Sequence, residues 1–182
     1  MTAVDDRTVT VFGQLAVPEG FRAELLRGEI RITAEADRVH NGIARSVSDR
    51  IPSRWDRLQA QDIAVPGEAS EPQPDLVVLE PEAFQGRGRL IPSPALSLVV
   101  EVVSKSSVHR DRLVKRSVYA AGQIPAYLIV DPLAAVCVLL TEPSGAGERA
   151  DYRVERTSAF GLPVPLESLG ITLDTTDFPT LT

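Results

Sequence analysis

The 182-residue sequence holds one cysteine, two histidines and no apolar stretch of membrane-spanning length. A single cysteine excludes an intramolecular disulfide, and with so few cysteines and histidines there is nothing from which to build a structural zinc site. Cys137 lies in the run Ala134-Ala135-Val136-Cys137-Val138-Leu139-Leu140, which reads as a buried thiol rather than a nucleophile and fits a reducing cytoplasm. No segment approaches the roughly 20 apolar residues of a membrane helix. The opening MTAVDDRTVT carries acids early and lacks the apolar core of a leader, so the expectation is a protein neither secreted nor membrane-inserted. An excess of positive charge is also missing: Lys and Arg number 19 against 25 Asp and Glu, a net charge of −6. That balance argues against indiscriminate adhesion to nucleic acid, so any such binding needs a local basic patch.

The length suits one domain, which at this size buries roughly two-thirds of its unfolded surface. No repeat or low-complexity tract divides it. Residues 1–20 show few periodic apolar positions and end in Pro18-Glu19-Gly20, the pattern of an arm leading into a single domain over 21–182. Phe21 to Leu26 and Glu29 to Thr33 are half-apolar runs separated by Arg27-Gly28, which predicts a β-hairpin with glycine at the turn. Val39, Ile43, Val47 and Ile51 recur every four residues, one face of a helix that Pro52 ends. A short strand is expected between Leu58 and Val65, followed by a loop from Pro66-Gly67.

Two branched apolar runs follow, Pro74 to Leu79 and Leu96 to Val103, typical of buried central strands. Ser107 is placed to cap a helix with apolar positions Val108, Leu113, Val114, Val118 and Ala121 and a polar face of Asp111, Lys115 and Tyr119; Gly122 stands where it should exit. Ala126 to Asp131 reads as another buried strand stopped by Pro132, so strand, helix and strand form a crossover unit. A second hairpin is expected from Val136 to Thr141 and Asp151 to Arg156, and the closing segment with Leu162, Val164, Leu166, Leu169 and Ile171 should cap the sheet. The fold class is thus α/β, with a mixed sheet flanked by helices.

Asp75 at the start of one buried strand and Glu101 inside another are the residues that demand an account. A charged carboxylate among Val99, Val100, Val102 and Val103 costs several kcal/mol unless it is paired, neutralised or bound to metal. Two readings stand: an ion pair with Lys115 or Arg116, or a divalent-metal site shared with Asp75. Two hard oxygen ligands suit Mg²⁺ or Mn²⁺, and such an ion can serve phosphodiester hydrolysis by activating water and stabilising the leaving oxygen. Lys115 would then steady the attacking water and the developing charge; the alternative for it is a surface pair with Asp111 one helical turn away.

The order Pro74-Asp75, Val100-Glu101-Val102-Val103-Ser104, Asp111, Lys115, Tyr119, Gly122, Ile124-Pro125, Tyr127 and Asp131-Pro132 resembles the Uma2 family of restriction-endonuclease-like proteins, a branch of the PD-(D/E)xK nuclease superfamily. Glu24-Leu25-Leu26-Arg27-Gly28-Glu29 is similar to that family's opening hairpin, and His40 matches its histidine at the next helix. The resemblance covers about residues 20–173. It implies a restriction-endonuclease-like core with Asp75 and Glu101 as metal ligands. The superfamily lysine two residues after the glutamate is replaced by Val103, and the resemblance implies that Lys115 takes its place; Leu128 departs from a frequent tryptophan.

The remaining assignments each carry a bland alternative. His40 is either a proton shuttle or outer metal contact, or a polar residue at a helix start. Glu24 is an additional acid at the metal or an exposed cross-strand residue. Ser104 and Ser106 either satisfy backbone groups or contact phosphate, and neither belongs to a Ser, His and Asp arrangement. Arg87, Arg89, Lys105, Arg110, Arg112 and Arg116 make up the candidate phosphate-facing patch. The function expected is a Mg²⁺-dependent (or Mn²⁺-dependent) endonuclease acting on nucleic acid, DNA ahead of RNA, with a homodimer favoured where duplex is cut, since cutting two strands takes two sites. The rivals are a non-catalytic module on the same fold, binding nucleic acid or protein, and a hydrolase of other phosphate esters.

Overall fold

A computed structural model describes residues 6–35 and 37–181. Helix α1 (Asp6–Gly13) comes first, within the stretch expected to be an arm; residues 1–5 of that stretch lie outside the described residues. Phe12 of α1, with Val9 and Leu15 beside it, packs on Ala23 and Leu25. Strands β1 (Phe21–Leu26) and β2 (Glu29–Ala34) form the expected antiparallel hairpin. Its two turn residues, Arg27 and Gly28, both adopt positive φ, the turn that suits the twist of paired strands. Helix α2 (Arg38–Arg50) is capped by the Asp37 carboxylate and buries Ile43, Ala44 and Val47, as its periodicity predicts.

Where one short strand was expected there are two, β3 (Asp56–Gln59) and β4 (Ile63–Ala64). Ala60, at φ 49°, turns the chain between them. β5 (Leu76–Leu79) is followed by β6 (Ile91–Pro92), which pairs with β4 in parallel, and by β7 (Leu96–Val102). A helical stretch with a π-turn over Arg110–Val114 leads into α3 (Lys115–Ala121), which ends at Gly122. β8 (Ala126–Asp131), β9 (Val136–Ser144) and β10 (Asp151–Ala159) complete the main sheet, and β11 (Val164–Leu166) with β12 (Ile171–Leu173) forms a closing hairpin.

The six-stranded sheet runs β10-β9-β8-β7-β5-β3, with β7 and β8 parallel and every other neighbour antiparallel. This is the expected mixed sheet, and α3 is the crossover that a parallel pair requires. Every residue of β5 and β8 is buried, while the edge strands β3 and β10 are mostly exposed or half-buried and carry charged side chains. Such polar edges discourage pairing with another chain. One face of the sheet packs α2 and the closing hairpin around Leu76, Val78, Leu98, Val100 and Leu128; the other packs α3 around Val77, Val99, Tyr127 and Ile129. Cys137 is a buried free thiol, as its apolar run predicts. Among the described residues no helix is long and apolar enough to cross a membrane.

Candidate active site

Strand register brings the two suspect acids together. Leu76 of β5 pairs with Val100 of β7, so continuing the antiparallel ladder by one residue sets Asp75 opposite Glu101. Alternation puts both on the α3 face, with Val77 and Val99, where cross-strand neighbours stand roughly 5 Å apart at Cβ. Asp75 Oδ2 accepts the Val102 amide N–H at 2.7 Å and lies 3.0 Å from His40 Nε2; Asp75 Oδ1 accepts from Arg22 Nη1 at 3.0 Å. Arg22 and Glu24 share a face of β1 because strand side chains alternate with period two, which is how the hairpin closes over the sheet end.

Lys115 Nζ sits between two carboxylates, 2.6 Å from Glu24 Oε1 and 2.7 Å from Glu101 Oε1. The Tyr119 hydroxyl also donates to Glu101 Oε1, at 2.5 Å, and the Gln73 amide N–H donates to Glu24 Oε1 at 2.9 Å. Tyr119 meets Tyr127 edge-on, and Tyr127 donates its hydroxyl proton to the Asp111 carbonyl at 2.8 Å. Arg110 Nε faces Glu24 Oε2 and Asp111 Oδ1, at 3.7 Å from each. These distances are too long for hydrogen bonds, and Glu24 Oε2, Asp111 Oδ1, His40 Nδ1 and Arg22 Nε are buried without a hydrogen-bond partner.

The cluster is sealed: Lys115 is 0 % exposed, Glu24 and Glu101 1 % each, and Asp75 5 %. Two of the alternatives weighed from the sequence are thereby excluded. Glu24 is no exposed cross-strand residue, and Lys115 is no surface partner of Asp111. The helix preceding β8 presents Asp111, Lys115 and Tyr119 to the interior, while Leu113 and Val108 are exposed. Lys115, Val118 and Tyr119 stand at i, i+3 and i+4 and so share the buried face of α3, and Asp111, within the π-turn, is buried one turn before Lys115. Ser107 does not cap the helix with its hydroxyl, which accepts from the Ser104 N–H upstream, while its carbonyl accepts from the Asp111 N–H.

Burial and charge divide the titrations. Burial, with Asp75, Asp111 and Glu24 nearby, pushes Glu101 up to about 8 against the opposing pull of Lys115. Burial would also raise Asp75, but the His40 hydrogen bond, the His40 and Arg22 charges and the Val102 N–H bring it down to about 2. For Glu24 the burial penalty is overridden by Lys115, with Arg22 and the Gln73 N–H adding to it, and the carboxyl lies below its ordinary range. His40 is raised: burial acts against its charged form, and its bond to Asp75 outweighs that. Asp111 is raised, first by burial.

The other sequence-predicted residues separate into two groups. Ser104 and Lys105 line, with Asp37, His40 and Ser106, a cavity of about 390 Å³ on the His40 side of the cluster. Arg110 instead points inward. The expected basic patch is largely neutralised: Arg89 pairs with Asp62 and Glu71, Arg112 with Asp131, and Arg116 with Asp151 and Glu155. Arg87 and Lys105 stay exposed. Arg22 was missed in the sequence, although its two-residue spacing from Glu24 on a strand was the available signal. It lines a second cavity, about 360 Å³, beside Asp75, and another of about 420 Å³ that shares Arg22, Glu35, Ala60 and Gln73 in its lining.

Among the described residues no set of three or more His, Cys, Asp or Glu side chains is arranged to hold a metal. The protein's own cations, Arg22, His40 and Lys115, surround the acids. The donor chemistry nevertheless fits a small hard cation: Asp75 and Glu101 offer adjacent carboxylates, and Glu24 and Asp111 each keep a buried oxygen without a partner.

An acid pair on adjacent central strands, with a lysine from the crossover helix, places the chain in the restriction-endonuclease-like class of nuclease folds. The family model Uma2, described as "Putative restriction endonuclease", matches residues 9–176, and the chain belongs to that family. Its fold is similar to the crystal structure of a "putative nuclease" from Anabaena variabilis, with TM-score 0.71, 12 % identity, and coverage of 93 % of this chain and 96 % of that one. No curated protein matches the sequence.

Proposed function

We propose that the protein is a divalent-metal-dependent nuclease hydrolysing phosphodiester bonds of nucleic acid, DNA ahead of RNA, in the cytoplasm. The observation that carries the reading is the buried cross-strand pair Asp75 and Glu101, with Lys115 Nζ 2.7 Å from Glu101. Asp75 and Glu101 would hold Mg²⁺ or Mn²⁺. When bound, the ion would lower the pKa of a coordinated water and stabilise charge on the phosphate oxygens.

The chain's own groups have separable roles. Lys115, fixed by Glu24, is poised to orient the attacking water and to offset charge as it develops. His40 and the Val102 N–H fix the Asp75 carboxylate, and Tyr119 fixes Glu101, so the acids are positioned before substrate arrives. Ser104 and Lys105, at the mouth beside His40, supply phosphate contacts, while Arg110 restrains Glu24 and Asp111 from within. A second reading, a non-catalytic module, draws support from the protein cations occupying the acid cluster. Cleavage of end-labelled DNA and RNA with and without Mg²⁺ decides between them. Asp75→Asn and Glu101→Gln should each abolish the metal-dependent product; undiminished cleavage by both variants would overturn the assignment of the site, and no cleavage by wild type would overturn the nuclease reading in favour of the non-catalytic module. A dimer, one site per strand, follows if duplex is the substrate; sedimentation with and without duplex tests it.

A further inference from the structure

The Asp75 carboxylate is already fully engaged. Val102 and His40 take Oδ2, and Oδ1 is gripped by Arg22, whose guanidinium also feels the charges of Glu101 and Glu24. Two observations bear on Arg22. Its side chain keeps 16 % exposure and lines the cavity beside Asp75 and the neighbouring one, so it is the cation of this cluster that a ligand in that groove can touch. Its Nε is buried with no hydrogen-bond partner, so its fork is incompletely used. A guanidinium binds carboxylate and phosphate with the same planar geometry.

We propose that Arg22 is a built-in stand-in for the divalent cation at Asp75, released when a phosphate group of the bound strand takes over its guanidinium. The proposal rests on the metal-dependent reading above and deepens it. Without nucleic acid, Arg22 neutralises Asp75 and competes with the ion for Oδ1. With a phosphodiester in the groove, the guanidinium exchanges carboxylate for phosphate, and the acid pair becomes available to metal. Metal and substrate then bind cooperatively, and by linkage each strengthens the other equally.

The test is calorimetric titration of Mn²⁺ into the full chain as wild type, Arg22→Gln, Arg22→Lys and Asp75→Asn, each alone and with a short single-stranded phosphorothioate oligonucleotide. Arg22→Gln should bind Mn²⁺ about tenfold more tightly than wild type without oligonucleotide, the scale usual for coupled sites. Arg22→Lys, which keeps the charge and loses the fork, should fall between them. The oligonucleotide should tighten Mn²⁺ binding to wild type by a similar factor and leave Arg22→Gln almost unchanged. A purely structural arginine would not raise metal affinity on removal. If Mn²⁺ binds wild type, fails to bind Asp75→Asn, and binds the Arg22 variants no more tightly, the stand-in role is refuted while the metal reading survives. No Mn²⁺ binding to any protein, with or without oligonucleotide, overturns both.

Discussion

Replacing Glu101 with glutamine should stabilise the fold at alkaline pH while removing the proposed activity. Glu101 is 1 % exposed, and burial raises its carboxyl from 4.5 to about 8. Between those values the folded chain holds a proton that the unfolded chain has released, so stability falls as pH climbs. The penalty is absent below the unfolded pKa and complete above about pH 8. Glutamine is neutral throughout and escapes it, and its carbonyl can still accept from Lys115 and Tyr119, which both bond Oε1. At about 1.4 kcal/mol per pKa unit, the ceiling on the gain is about 5 kcal/mol at pH 9, shrinking towards zero near pH 4.5. Urea denaturation at pH 5, 7 and 9 measures it. Glu24→Gln provides the opposite sign: Glu24 lies below its ordinary range, so its charge adds stability above the unfolded pKa and that contribution is lost as pH falls through the folded one. A Glu101→Gln protein less stable than wild type at pH 9, or a gap independent of pH, would refute the reasoning.

Other consequences follow from the same geometry. Lys115→Met leaves the ionised Glu24 without its buried cation, Glu101 being protonated near neutrality, and should cost about 3–5 kcal/mol there, read as a fall in the urea midpoint. Gly122→Ala would place a methyl 2.8 Å from Ser93 Oγ and 2.9 Å from Val65 Cγ1; overpacking of this kind costs about 1–3 kcal/mol, visible as a lower Tm. The Cys137 thiol, pushed up to about 12 by burial, should react with a disulfide reagent only after denaturant is added. Because Arg89, Arg112 and Arg116 are held by acids, nucleic-acid binding should depend on salt far less steeply than in a protein with a free basic patch; filter binding across a range of NaCl measures the slope.

The elements legible in the sequence are those governed by one period. Val39, Ile43 and Val47 identify α2 because a helix face repeats every three to four residues, and Leu76 to Leu79 identifies β5 because a strand covered on both faces is continuously apolar. Asp75 and Glu101 stood out for the same reason, as acids in runs that should hold none. The helix before β8 escaped this logic: Lys115 and Tyr119 share the buried face of α3 with Val118 and meet buried acids there, while Leu113 in the π-turn is exposed. The fate of the basic residues was beyond reach because their partners are distant in sequence; Arg116 meets Asp151 and Glu155 only once β10 lies beside α3. Helix α1 escaped notice because its contact with Ala23 and Leu25 rests on few apolar residues in eight.

The central claim is that Asp75 and Glu101 together hold a divalent ion. Its most direct test is anomalous diffraction from crystals of the protein grown with Mn²⁺ and an uncleavable oligonucleotide. The account predicts a manganese peak bonded to carboxylate oxygens of both residues, with Arg22 turned towards a phosphate. A peak elsewhere, or density for the oligonucleotide in the groove with Asp75 still bound to Arg22 and no metal beside it, would contradict it.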